Sequence, residues 1–320
     1  MLECTIASIK LVPGGQKSGK SRRAQDLAKA WLAAAPGRWA VLVCMLAGLA
    51  TGASALELVD DRGVKLQLAR SPQRIVSVLP SLTEMVCDLG QCQRLVGVDR
   101  YSNFPESVRK LPQVGGGLDP SVEAIVALKP DLVLVATSSP AADRLQALGI
   151  PVAALEPKNH ADVRRVMLAL GQVLEVPHAL QRWQSIDGSV QAIARALPPR
   201  VRGASVYFEV NNAPYAASES SFIGETLARL GVRNIVPGSM GPFPKINPEF
   251  VVRADPDVVM VGDATFAGMA QRPGWAGMRA IKGQRVCVYT PAQSDTMVRP
   301  GPRMAEAAAA MARCLEQHIR

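Results

Sequence analysis

Short apolar runs rich in β-branched residues alternate with segments of helical periodicity along the first half of the chain. A run at 74–79 is followed by helical spacing at 81–89 and by a second apolar run at 95–98. The alternation continues to a run at 152–155. Strands that alternate with helices are typical of a parallel sheet covered by helices. The pattern therefore predicts an α/β fold.

The first predicted helix begins immediately after the first predicted strand. Ser81 with Glu84 three residues later predicts a capping box, and Gly90 is a suitable end for the helix. The loop after the first strand then meets a helix N-terminus. Ligands of open α/β sheets bind at this edge.

An internal repeat predicts two lobes. The segment EAIVALKPDLVLV (123–135) recurs as EFVVRADPDVVMV (249–261), with six of thirteen positions identical. Each copy has the pattern of a helix, a Pro-Asp turn and a buried strand. Two such units, each within its own α/β alternation, predict two similar Rossmann-like lobes that arose by duplication. We place them at 56–160 and 201–320.

The segment between the lobes, 161–200, has helical spacing and no strand pattern. Pro177 predicts a break after which a second helix starts. A helix over 178–197 would be about 30 Å long. We therefore expect a long rigid α-helix that joins the lobes, packs on both and limits their closure.

The net charge of +9 does not indicate a nucleic-acid partner. Residues 1–55 hold seven Lys or Arg against two Asp or Glu, so only four of the excess charges remain in the rest of the chain. No run of Lys or Arg interleaved with aromatic residues follows Arg38.

Residues 39–55 have the layout of a secretory signal peptide. An apolar run at 39–50 follows Arg38 and precedes the small-residue site Ala53-Ser54-Ala55. The run is shorter than the about 20 residues that span a bilayer. We expect cleavage that leaves Leu56 first and releases a soluble periplasmic protein.

A literal P-loop pattern, GGQKSGKS, occupies residues 14–21. Residues 6–31 resemble the opening strand, loop and helix of the adenosylcobinamide kinase family. That domain needs a further sheet and an acidic metal-binding strand, and the chain instead enters the signal-like segment. We interpret residues 1–38 as an inert extension with a P-loop remnant, and a kinase-like protein is the alternative of another class.

Four cysteines follow the signal-like segment, and in an oxidising compartment they allow three pairings. Cys87 and Cys92 are close enough for a local disulfide. Cys287 and Cys314 fit buried small apolar positions. The histidines, His160, His178 and His318, are isolated from further metal-binding residues, so we expect neither a metal site nor a cofactor.

Several motifs carry a resemblance to a known family: RIVSV (74–78) with PSLTE (80–84), VGVDRYSNFP (96–105), the two repeats, and Ser294-Asp295 with Pro302-Arg303. Over about residues 74–313 the chain resembles the cobalamin-binding periplasmic protein family. This family lies within a group of iron-siderophore, haem and cobalamin receptors whose lobes are joined by a rigid helix. The resemblance implies a monomeric receptor, not an enzyme, that delivers a corrinoid to the permease dimer of an ABC importer.

The resemblance also implies residue roles. Glu123 and Glu249 match the acidic residues that dock on permease arginines, although each also suits the first turn of a helix. The positions that match ligand contacts are Ser81, Tyr101, Gly116, Phe243, Asp295 and Arg299. Family members that bind cobalamin can carry Trp where this chain has Gly117 and near Thr296. Haem or a ferric siderophore therefore remains an alternative ligand.

Overall fold

The computed structural model describes residues 56–211, 214–262, 266 and 268–319. The predictions for residues 1–55, which are the P-loop-like extension and the signal peptide, lie outside these residues. None of the helices in the described ranges has the length and apolar character needed to cross a membrane.

The first lobe contains a small hairpin and a four-stranded parallel sheet. The hairpin pairs β1 (Leu56–Val59) with antiparallel β2 (Lys65–Leu68). The strands of the sheet are β3 (Ile75–Ser77), β4 (Leu95–Val98), β5 (Leu132–Val135) and β6 (Val152–Ala154), and their order is β4-β3-β5-β6. The helices of the first lobe are α1 (Pro80–Asp88), α2 (Val122–Ala127) and α3 (Ala142–Ala147).

The second lobe contains a sheet of five strands, which are β7 (Ser205–Asn211), β8 (Tyr215–Ala216), β9 (Arg233–Asn234), β10 (Val258–Gly262) and β11 (Val286–Tyr289). Their order is β11-β10-β7-β8, and β9 also pairs with β7. All described pairings are parallel except that of β7 with β8. Its helices are α6 (Phe222–Arg229), α7 (Pro248–Ala254), α8 (Arg279–Lys282), α9 (Pro291–Val298) and α10 (Met304–His318).

Each sheet is buried on both faces, because successive side chains of a strand point to opposite sides. In β5, Leu132 and Leu134 join one hydrophobic cluster, whereas Val133 and Val135 join the cluster on the other face. This burial explains the nearly continuous apolar runs in the sequence.

Two helices join the lobes, α4 (His160–Val173) and α5 (Ala179–Ala196). Helix α5 has 18 residues and is therefore about 27 Å long. Trp183 belongs to the core of the first lobe, and Ile193 packs against the core of the second. The expectation of a long helix in contact with both lobes is confirmed. The helix predicted over 178–197 agrees with the observed bounds to within one residue at each end, and Pro177 lies just before it.

The repeated Pro-Asp motif has the same structural task in both lobes. Asp131, just before β5, accepts hydrogen bonds from the backbone N–H groups of Gln73 and Arg74 at 2.8–3.1 Å. Asp257, just before β10, accepts from the backbone and hydroxyl of Ser205 at 2.8 and 2.7 Å. Each carboxylate thus fastens the start of one central strand to its neighbour, as a duplication predicts.

Two disulfides are present among the described residues. Cys87 and Cys92 are joined, as predicted. Cys287 of β11 and Cys314 of α10 are also joined. The interpretation of the latter two as buried apolar positions was incomplete, because the strand and helix pack with their side chains in contact. The second disulfide closes a loop of sequence separation 27 and ties the terminal helix to its sheet.

Candidate functional site

A cavity of about 310 Å³ lies between residues of the two lobes. It brings together four of the six residues predicted to bind a ligand, which are Ser81, Tyr101, Asp295 and Arg299. The other lining residues are Leu79, Pro80, Val298 and Pro300. Ser81 lies at the start of α1, and Tyr101 follows β4. The C-terminal edge of the first sheet therefore forms one wall, and the end of α9 forms the opposite wall.

The loop that carries Tyr101 rests on a buried polar network. Asp99 is 1% exposed and accepts hydrogen bonds from the Ser102 hydroxyl and from the backbone N–H of Tyr101 (3.1 Å). Thr83 contacts the hydroxyl groups of Ser77 and Ser102, both at 2.8 Å. Burial raises the pKa of Asp99, although the hydrogen bond from Ser102 opposes this shift. The network fixes the loop while the Tyr101 side chain stays 58% exposed.

Gly116 lies beside the Tyr101 ring. A Cβ atom at this position would lie 2.6 Å from the Asp119 carboxylate and 3.3 Å from the ring. Any larger residue would therefore displace the ring or the carboxylate. The hydroxyl group of Tyr101 forms no hydrogen bond with the described residues, so the exposed ring and its hydroxyl are both open to a ligand.

Arg299 is only 8% exposed, and its guanidinium group contacts residues of both lobes. Nη1 donates to Glu84 (3.0 Å) and to the side-chain oxygen of Asn103 (2.7 Å). Nη2 donates to the carbonyl oxygen of Tyr101 (3.0 Å) and pairs with Asp295 (2.8 Å). Arg299 thus donates three hydrogen bonds to the first lobe and forms one ion pair within its own lobe. Arg299 joins the lobes and positions the Tyr101 loop from behind.

Glu84 does not form the predicted capping box with Ser81, and that prediction is wrong. Helix α1 starts one residue earlier, at Pro80, without a side-chain cap. Glu84 is 3% exposed and accepts hydrogen bonds from Nε and Nη2 of Arg303 at 2.9 and 2.6 Å. Burial alone would lower the pKa of Arg303, but the hydrogen bonds and charge of Glu84 raise it above its ordinary value.

Sequence reasoning assigned no role to Arg303 or Asn103 in the site. Arg303 lies 4.1 Å above the ring of Phe104, and Asn103 donates to Asp295 (2.8 Å). Both belong to motifs that carried the resemblance, but motifs do not report partners. A signal did exist for Glu84, which is an ionisable residue at a buried position of an apolar helix face.

Phe243 does not line this cavity. It lies in the second lobe, 40% exposed, with its ring 6.3 Å from that of Phe222 in an edge-to-face arrangement. A contact between Phe243 and a ligand that extends beyond the cavity stays a prediction.

The two acidic residues predicted to dock on a permease occupy equivalent positions. Glu123 is in the first turn of α2, which Ser121 caps, and Glu249 is in the first turn of α7, which Asn247 caps. The side chain of Glu123 is 81% exposed, with Arg144 at 4.0 Å, and Glu249 is also exposed. Both carboxylates are therefore accessible to a partner.

The comparisons with known proteins agree with this architecture. The family model described as periplasmic binding protein matches residues 75–293. An uncharacterized ABC transporter substrate-binding lipoprotein of Bacillus subtilis is 28% identical over 262 residues, which cover 78% of this chain and 82% of the relative.

A vitamin B12-binding protein of Yersinia pestis is 30% identical over 204 residues, which cover 60% of this chain and 70% of the relative. The crystal structure of a periplasmic heme-binding protein from Pseudomonas aeruginosa has a TM-score of 0.65 and 27% identity, covering 78% of this chain and 94% of that one. The matched length, the two lobes and the joining helix lead to one conclusion: this chain belongs to the periplasmic binding protein family.

Proposed function

We propose that this protein binds a corrinoid of the cobalamin type outside the cytoplasm and delivers it to an ABC importer. Its relatives are solute-binding proteins of such transporters, which implies a bound ligand and a permease partner. The proposal gives the protein no enzymatic activity and no cofactor. It includes a cleaved signal peptide that leaves Leu56 first, and a monomeric mature protein.

The exposed Tyr101 ring in the cavity between the lobes carries the proposal. A flat macrocycle with polar side groups needs an aromatic face for its ring and hydrogen-bonding groups around it. Tyr101 offers the face, and Ser81 and Asp295, which carry hydrogen-bonding groups, line the same cavity. The vitamin B12-binding relatives support the same ligand class.

Haem is the second candidate, and the same residue favours it. The Tyr101 hydroxyl group has no partner among the described residues, so it is available as an axial ligand of iron. The heme-binding structure from Pseudomonas aeruginosa supports this alternative. Against it, the cavity presents the Asp295 carboxylate, which repels the carboxylates of haem.

Isothermal titration of the purified protein with cyanocobalamin, cobinamide, haemin and a ferric hydroxamate tests the proposal. We expect one corrinoid site per chain and markedly weaker binding of haemin and of the hydroxamate. Tight binding of haemin with no signal from either corrinoid would establish the second candidate instead. ATP hydrolysis that is lost in Lys20→Ala would revive the kinase-like alternative, and a mature N-terminus at Leu56 would eliminate it.

The delivery step would use Glu123 and Glu249. Their exposure and their equivalent places in the two repeats suit a permease built from two related subunits. Each carboxylate would pair with a permease cation.

A further inference from the structure

Four ionised side chains from both lobes form one cluster behind the cavity. Glu84 contacts Arg299 at 3.0 Å and Arg303 at 2.6 Å, and Asp295 contacts Arg299 at 2.8 Å. Two cations face two anions, so the formal charge of the cluster is zero.

The four members of this cluster differ in their access to a ligand. The side chain of Asp295 is 38% exposed, whereas those of Glu84, Arg299 and Arg303 are 3%, 8% and 11% exposed. Arg299 donates three hydrogen bonds to the first lobe and is ion-paired with Asp295. A ligand in the cavity therefore meets the Asp295 carboxylate, while the two arginines are buried and their charges are balanced by Glu84 and Asp295.

A further cation beside Tyr101 is also paired with a carboxylate. The guanidinium of Arg100 lies 5.9 Å from the Tyr101 ring and is paired with Asp119. Of the two charged residues that line the cavity, Asp295 and Arg299, Asp295 is the more exposed. A carboxylate acts as a hydrogen-bond acceptor only, so it favours groups with N–H or O–H donors.

We propose that Glu84 is a specificity-determining residue that makes this cavity select ligands with amide side groups over ligands with carboxylate side groups. The inference rests on the proposed function, because it specifies which corrinoids are bound. Glu84 does not touch the ligand. It acts by supplying the second negative charge that, with Asp295, balances the two arginines, so that a ligand meets the exposed Asp295 carboxylate with no excess positive charge behind it.

Charge balance predicts opposite effects for two substitutions. Glu84→Gln keeps the shape of the side chain and leaves the cluster with one excess positive charge, which attracts carboxylates. Arg303→Gln leaves one excess negative charge, which repels them. The double substitution restores neutrality. A merely structural role would weaken binding of both ligand types in each variant, without a change of sign in their preference.

The test compares cobinamide, whose side groups are amides, with cobyrinic acid, in which carboxylates replace them. Titration calorimetry of the full chain at low salt gives the ratio of the two affinities. We expect the natural protein to favour cobinamide. One uncompensated charge near the ligand should shift the ratio about tenfold, toward the acid in Glu84→Gln and away from it in Arg303→Gln. The double variant should return to the natural ratio.

Asp88→Asn is the matched control, because Asp88 lies one turn further along α1 and pairs with Arg182 outside the cavity. It changes the net charge equally and should leave the ratio unchanged. An unchanged ratio in Glu84→Gln, or an equal shift in Asp88→Asn, overturns the inference while corrinoid binding stands. If neither corrinoid binds the natural protein, the proposed function falls and the inference with it. Should Glu84→Gln fail to fold, Arg303→Gln and the double variant decide the question.

Discussion

His160 should make the protein less stable in mild acid. It is the first residue of α4, it is 1% exposed, and it contacts α6 of the second lobe. The hydroxyl of Thr226 donates to the Phe222 carbonyl oxygen (2.8 Å), so its oxygen accepts from Nε2–H of His160 (2.9 Å). Nδ1 is buried without a partner. The ring is therefore held in its neutral form.

Burial, and next the positive charge of Arg229, lower the pKa of His160 to about 3, although Asp187 opposes the shift. The ordinary value for an unfolded chain is about 6.5. At pH values between these two pKa values, His160 is protonated in the unfolded state but not in the folded state. The contribution of His160 is complete above about pH 6.5 and is lost as the pH falls toward 3. At pH 5 the loss is about 1.5 units times 1.36 kcal/mol, or about 2 kcal/mol.

Urea unfolding between pH 5 and pH 8 measures this loss. His160→Gln keeps a donor for Thr226 but does not titrate, so the difference in unfolding free energy between the two proteins isolates His160 from the acidic residues. We expect this difference to be constant at pH 7–8 and to change by about 2 kcal/mol at pH 5. His178→Gln, at the exposed N-cap of α5, is the control. A pH-independent difference for His160→Gln would refute the reasoning.

Three further predictions concern other parts of the molecule. Glu123→Ala with Glu249→Ala should abolish uptake in cells while ligand affinity measured by titration stays within about threefold, since exposed charges that do not line the cavity are screened by solvent; a parallel fall in affinity would contradict the docking role. Cys287→Ser with Cys314→Ser should lower the free energy of unfolding by about 3 kcal/mol, more than loss of the shorter disulfide, because the longer loop restricts the unfolded chain more; equal losses in urea unfolding would contradict this account. Gly188→Ala should raise that free energy by about 0.5–1 kcal/mol, since α5 leaves open space at this position; destabilisation would show a neighbour that packs there.

The sequence by itself determined the architecture. Strand and helix periodicity are local properties, so the alternation along residues 74–155 was enough to indicate parallel α/β structure. The repeated Pro-Asp motif showed two lobes, and Asp131 and Asp257 indeed perform one task in each. The local disulfide between Cys87 and Cys92 was also predictable, because only four residues lie between its ends.

The tertiary structure alone decided which charges meet behind the cavity. Glu84 and Arg299 are 215 residues apart, and Glu84 and Arg303 are 219 apart. A local pattern carries no information about such pairs. The capping motif at Ser81 and Glu84 was even misleading, since a buried carboxylate gains more from two guanidinium groups than from one exposed backbone N–H. Partners of this kind are selected by the packing of two lobes, which exists only after the chain has folded.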